Sequence, residues 1–229
     1  MSVNQTRSDT IYASLRRAIL EQALQPGVKL PEDTIGETFG VSRTSARNAL
    51  IRLASEGLVE IRPNRGAAVA MPSLEDAHEV FDIRQRLENL VISRLCERMP
   101  KDGIDALRSH VREEELAIQA SSPRSIRLSG EFHVLLAELT NSKLLINFMN
   151  QLVSQSSLIL ARFGRPHSAK CAVEEHIKLI EALEVQDADR AIAIMGEHLH
   201  AVADRAEIGR DTADVGSILS HYADAGGMA

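Results

Sequence analysis

Three histidines stand where helical side chains could meet a metal ion. His133 follows Glu131-Phe132, His176 follows Glu174-Glu175, and His198 sits in Met195-Gly196-Glu197-His198-Leu199. Each lies beside residues of its own helix's apolar stripe, and antiparallel helices can bring three such side chains to one point inside a bundle. Neutral imidazole suits Zn²⁺, Ni²⁺ or Cu²⁺, and three imidazoles with an open position form a recognised zinc arrangement. The three are too far apart for any short-range ligand spacing, so a satisfied buried or surface histidine accounts for each of them as well. His200 is two residues from His198, roughly 200° round the helix, so the two cannot face one site. His78, His110, His167 and His221 show no partner pattern. A zinc-activated water on such a site would make the chain a metal-dependent hydrolase, the rival reading. Glu131, Glu175 and Glu197 adjoin the candidate ligands, but adjacent helical positions point about 100° apart, so none is placed to share the pocket. A metal that only stiffens the bundle is a further possibility.

A different chemistry is written into Ser42 to Leu53. Val41, Ala46, Ala49, Leu50 and Leu53 recur at helical spacing and can bury one face. Ser42 is a good N-cap. Arg43, Thr44, Ser45 and Arg47 fall in the first turns, with the two arginines and Thr44 off the apolar face. A helix start carrying arginines and small hydroxyls suits the major groove, where Arg pairs bidentately with guanine and Ser or Thr reaches bases or phosphates. A surface helix with solvated arginines is the bland equivalent.

The flanking elements favour the groove. An apolar stripe of Ile11, Leu15, Ala18 and Ile19 predicts a helix over 8–22, stopped at Pro26-Gly27. A short helix opens near Leu30-Pro31-Glu32-Asp33, carries Ile35 and Phe39 inward and ends at Gly40. With the helix from Ser42 it makes a helix-turn-helix. Leu58–Ile61 and Ala67–Ala70 read as two short strands joined by Arg62-Pro63-Asn64-Arg65-Gly66, a basic hairpin tip able to enter a minor groove or touch phosphate. The domain boundaries expected are a winged helix-turn-helix over 1–71, a linker over 72–74, a helical domain over 75–222 and a tail over 223–229. Beyond Ala70 the pattern is helical, with breaks near Pro100, Asn141, Gly164-Arg165-Pro166 and Gln186-Asp187. This predicts a mainly α protein whose C-terminal part is an all-α bundle of six or seven helices, the last from Ala213 to Tyr222.

Composition narrows the classes. At 44% hydrophobic but only 3% aromatic, with no Trp, the core must be packed by aliphatic side chains. The net charge of −6 conceals a division: residues 1–71 hold 9 Lys+Arg against 7 Asp+Glu, and the remainder 17 against 25. A mildly basic head on an acidic body is compatible with a local DNA-binding patch. No unbroken apolar run reaches the roughly 18 residues of a membrane span. Met1-Ser-Val-Asn-Gln-Thr has no apolar signal core, and Cys96 and Cys171 read as reduced thiols, so a cytoplasmic protein is expected.

The ordered set Pro26-Gly27-Val28-Lys29-Leu30, Gly40-Val41-Ser42-Arg43-Thr44, Arg47, Ala49-Leu50, Leu53-Ala54, Glu56-Gly57-Leu58-Val59 and Arg65-Gly66 resembles the N-terminal domain of the GntR family of bacterial transcription regulators. Three positions depart from it: Asp33 stands where many members carry Arg, Ser45 where Pro is usual and Asn48 where Glu is usual. Phe132-His133, Glu175-His176, His198-Leu199 and Arg84 with Leu87-Glu88 resemble the ligand-binding FCD domain of its FadR subgroup. The resemblance implies a homodimer on pseudo-palindromic operator DNA, repression in the commoner mode, and Ser42, Arg43, Thr44, Ser45, Arg47, Arg65 and Gly66 as the DNA-binding set. It also implies a divalent metal, Zn²⁺ before Ni²⁺, held by His133, His176 and His198, and a small carboxylate effector gripped by Arg84. A salt bridge from Arg84 to Glu88 or Asp82 is the competing role for that arginine. Many FCD domains add an Asp ligand one turn before the first His, where this chain has Ser129. Three arrangements follow: three histidines with water or effector completing the shell, a more weakly bound metal, or a pocket without metal. Retention of all three histidines favours the first.

Overall fold

The computed structural model describes residues 3–164 and 169–206. The helix expected from Ala213 to Tyr222, the tail, His167 and His221 lie outside the described residues. The elements run α1 Val3–Leu20, α2 Glu32–Phe39, α3 Arg43–Ser55, β1 Val59–Arg62, β2 Gly66–Val69, then α4 Leu74–Glu97, α5 Gly103–Gln119, α6 Arg124–Leu139, α7 Lys143–Phe163, α8 Ala169–Glu184 and α9 Ala188–Arg205. The mainly α fold with one small winged sheet is as expected, and the body contributes six helices among the described residues.

In the head, Ile11, Leu15 and Ile19 of α1, Ile35 of α2, and Ala46, Ala49, Leu50 and Leu53 of α3 form one buried cluster. Gly40 ends α2 at φ 60°, and its N–H bonds back to Glu37 and Gly36 carbonyls. Ser42 caps α3, its Oγ accepting from the Ser45 N–H. β1 and β2 pair antiparallel with Val59 opposite Val69 and Arg62 opposite Gly66. Lys29 forms a bridge to Ala68, so the Pro26–Leu30 stretch, legible only as a turn, also lends an edge to the wing.

Ser73 opens α4 through a reciprocal capping box with Asp76. The body core joins Val91, Ile92 and Leu95 of α4, Leu107 and Val111 of α5, Phe132 and Leu136 of α6, Met149 of α7, and Leu179, Leu183, Met195 and Leu199 of α8 and α9. α7 has 21 residues and is apolar enough by length and composition to cross a membrane. Its residues Leu145, Met149, Leu152, Val153, Leu158 and Ile159 are buried inside the fold, as in the central helix of a bundle.

Head and body are joined by more than the linker. Leu158 of α7 belongs to the head's buried cluster. Gly57 has φ 74°, and a Cβ there would lie 2.9 Å from Nε2 of Gln155 on α7. Around this apolar contact, Arg16 meets Glu56 at 3.2 Å and Glu131 at 3.7 Å, and Arg127 meets Glu21 at 3.0 Å and Glu131 at 2.5 Å. Leu158→Ala should therefore cost about 2–5 kcal/mol by leaving a cavity under the head. Denaturant unfolding should show that loss, together with faster proteolysis in the 71–74 segment; unchanged cleavage there would place the coupling elsewhere.

Candidate metal centre and nucleic-acid interface

The three histidines come together. His133 from α6, His176 from α8 and His198 from α9 are all buried, and their ligand nitrogens lie within 4.8 Å of one another. Each is oriented by a carboxylate from a neighbouring helix. His133 Nδ1 is 2.6 Å from Glu88 Oε2, His176 Nδ1 is 3.1 Å from Glu114 Oε2, and His198 Nδ1 is 2.6 Å from Glu175 Oε2. An imidazole that donates Nδ1–H to a carboxylate presents the Nε2 lone pair on its far side, the arrangement that metal-binding histidines use. Phe132 stacks on the His176 ring at 3.9 Å and limits its tilt.

Burial favours the neutral form of two of the rings. Burial pushes His133 down to about 3, overriding the Glu88 carboxylate beside it. Burial also lowers His198, against the pull of Glu175. Glu88 is opposed by its burial, yet the Arg84 guanidinium and the His133 ring hold it at about 2. The Glu175 carboxyl is lowered by the hydrogen bond from His198.

The consequence is a set of lone pairs that converge. His133 Nε2 and His198 Nε2 face each other at 3.3 Å, although both Nδ1 protons are already committed. His176 Nε2 is buried without a hydrogen-bond partner among the described residues. Buried acceptors that repel one another are costly unless a cation sits among them, so the donor set fits a divalent ion.

His133 and His198 border a cavity of about 430 Å³. Arg84, Ser129, Ser156 and Arg205 also line it, and so does Gln22 from the turn after α1. Of the two roles foreseen for Arg84, the structure shows the salt bridge to Glu88. The arginine is 4% exposed, its Nε bonds Glu88 Oε1 at 2.8 Å, and its Nη2 is buried with no partner among the described residues. Ser129 lines the cavity one helical turn before His133. His200 is exposed beside Asp204, and His110 bonds the Leu128 carbonyl at 2.8 Å, so neither joins the cluster.

The orienting carboxylates were missed in the sequence. Glu175 was set aside because neighbouring positions diverge on a helix; it reaches His198 by crossing to α9 instead. Glu88 and Glu114 did leave a signal: each occupies a core-facing position, Glu88 between Arg84 and Val91-Ile92, Glu114 in the series Leu107, Val111, Glu114, Ile118. A charged residue inside such a stripe implies a buried partner.

On the head, Arg43 and Arg47 are 68% and 64% exposed at the start of α3. Ser42 and Thr44 are exposed, as are Arg65 and Gly66 at the wing tip. Ser45 differs from the rest of the expected DNA-binding set. It is 7% exposed with its Oγ 3.0 Å from Ser42 Oγ, because the third position of α3 turns toward the core and completes the cap. Asp33, at the departure noted above, is exposed and lies 3.5 Å from Arg43, which Glu32 holds at 2.8 Å.

A winged helix-turn-helix docked on a helical domain with an imidazole-lined cavity is the make-up of a ligand-responsive DNA-binding protein. Residues 7–69 match the bacterial regulatory proteins of the gntR family, and residues 79–201, more than half of the chain, match the FCD domain. The chain therefore belongs to the GntR family of bacterial transcriptional regulators, in its FCD-bearing form. It is similar to the HTH-type transcriptional repressor RspR of Escherichia coli (strain K12), 26% identical over 89% of this chain and 90% of that one. It is 30% identical to the Uxu operon regulator of Haemophilus influenzae over 82% of this chain and 77% of that one. Among solved structures, E. coli McbR/YncC superposes with a TM-score of 0.75 at 20% identity, over 88% of this chain and 95% of that one. A GntR transcriptional regulator from Rhodococcus sp. RHA1 gives 0.75 at 20% identity, over 90% and 100%. These two likenesses establish the fold.

Acid should destabilise the metal-free protein. The folded-state pKa of His133 lies below its unfolded value, so its contribution is complete above about pH 6.5 and is lost as pH falls toward 3. Glu88 adds a loss below about pH 4.5. With chelator present, unfolding free energy should fall by up to about 1.4 kcal/mol per pH unit below pH 6.5 for each proton taken up. His133→Gln should flatten that slope, and an unchanged slope in the variant would refute the assignment.

Proposed function

We propose that the chain is a cytoplasmic homodimeric repressor of the FadR subgroup whose operator affinity is set by a small carboxylate held at a divalent metal. Residues 1–71 read DNA, and the helical domain over 75–222 senses the ligand and dimerises. His133, His176 and His198 hold the ion, Zn²⁺ before Ni²⁺, and Arg84 Nη2 grips the acid. Bound there, the ion supplies a Lewis-acidic point for an anionic ligand. The observation that carries this reading is the convergence of three buried imidazole nitrogens beside a cavity that His133, His198 and the open Arg84 guanidinium line.

The same cavity suggests the route to DNA. α6 turns Ser129 and His133 inward while Arg127 and Glu131 on the same helix hold Glu21 and Arg16 of the head. Gln22 itself forms part of the wall. A shift of α6 on ligand binding would move the grip on the head, biasing one head orientation. Ile83 and Leu90, exposed seven residues apart on α4, support a partner surface on the body. Two heads on a two-fold dimer suit half-sites about one helical turn apart. The hydrolase alternative is disfavoured because Glu88, Glu114 and Glu175 are each occupied by an imidazole, leaving none of them free as a general base.

The test begins by selecting DNA from a random pool with the full-length protein. Arg43→Ala and Arg47→Ala should each weaken the selected site by about 1–3 kcal/mol and relax specificity, whereas Arg65→Ala should weaken all sequences alike. Retained affinity in both α3 variants would refute the groove assignment. Elemental analysis of protein equilibrated with Zn²⁺ and acetate should find a divalent metal that His133→Ala abolishes; no metal in the wild type would remove the ion from the proposal.

A further inference from the structure

The fourth donor is the open question at the three-histidine cluster. Among the described residues, the three imidazoles are the whole of the group whose ligand atoms converge. The nearby carboxylates already accept Nδ1–H bonds. The side chain on the cavity wall one turn before His133 is a hydroxyl, Ser129, which is neutral and hard to ionise. All ligands available among the described residues are therefore neutral, and an ion held by them keeps its full double charge.

The surrounding charges define what would balance it. Arg84 and Glu88 cancel as a buried pair. Glu114 and the half-buried Glu175 add two formal negative charges beside the imidazoles they bond, and half-buried Arg205 adds one positive, so the groups around the cluster carry one net formal negative charge. Without an ion, that charge and three lone pairs repel a carboxylate. With a divalent ion, the site is one positive charge in excess, and the buried Arg84 Nη2 still lacks an acceptor. A monoanionic carboxylate would satisfy both at once.

Resting on the metal-and-acid reading above, we propose that Ser129 makes the two ligands interdependent: ion and carboxylate load as a unit, the acid supplying the donor and the negative charge that the chain itself withholds. Each then raises the affinity of the other by one and the same factor. The protein reports the acid only where the ion is present, and holds the ion firmly only where the acid is present.

The experiment is a Zn²⁺ titration of the chelator-stripped, full-length protein in carboxylate-free buffer, with and without millimolar acetate at matched ionic strength. Acetate should tighten the wild-type Zn²⁺ Kd by about tenfold or more, within the usual range of such couplings. Ser129→Asp should bind Zn²⁺ more tightly than wild type without acetate, and the acetate effect should shrink to about twofold or less. Cobalt(II) in place of zinc should show a change in its ligand-field bands on adding acetate to the wild type. A wild-type Kd indifferent to acetate, with unchanged cobalt bands, would overturn interdependence while leaving the metal site standing. Failure of Zn²⁺ to bind under either condition would overturn the metal reading beneath it.

Discussion

Three hydrogen bonds between imidazole Nδ1 and glutamate, each made between two helices, govern the receptor half of this protein. They solve a problem that burial creates. A histidine inside an aliphatic bundle must place two polar nitrogens, and α4, α5 and α8 each contribute a carboxylate that takes one of them. The second nitrogen of every ring is thereby aimed at a common point. Orientation and convergence thus have one cause. Arg84 belongs to the same system, because it holds Glu88 ionised and in place while keeping a donor of its own in reserve.

That polar knot lies against the part of the body that touches the head. α6 carries His133 and Ser129 on one side and the Arg127–Glu131 pair toward the head on the other. α7 supplies Leu158 to the head's own core and Gln155 against Gly57. The apolar contact fixes where the head sits, and the partly exposed ion pairs around it are individually weak. Such an interface can shift without being broken, which is what a two-state regulator requires.

Much of this was legible in the sequence. Helical periodicity, the Pro26-Gly27 and Gly40 breaks and the Ser42 cap placed the winged head, because each is a local signal. The six described helices of the body follow for the same reason. The histidines could be nominated but not assembled, since their meeting depends on helix crossings that no spacing encodes. The glutamates that orient them were hidden by the habit of reading charge as surface. Ser45 was misplaced by a related error: its hydroxyl suggested DNA, whereas its position on α3 faces inward. Gln22 gave no signal, since its place in the cavity wall arises only from the docking of head on body.

The acidic residues beside the exposed arginines of the head bear on how it would meet a polyanion. Arg43 rests on Glu32 and Asp33, Arg47 lies 4.0 Å from Glu32, Arg52 pairs with Asp9 and Arg62 with Glu60. Each of these guanidiniums carries its own internal counter-ion. A phosphate that recruits one must displace a carboxylate of the protein, so the net gain in charge neutralised is small. The electrostatic, sequence-blind share of binding, and with it the steepness of the salt dependence, is lower than the number of arginines suggests. Discrimination among sites falls correspondingly on base edges and on the shape of the duplex.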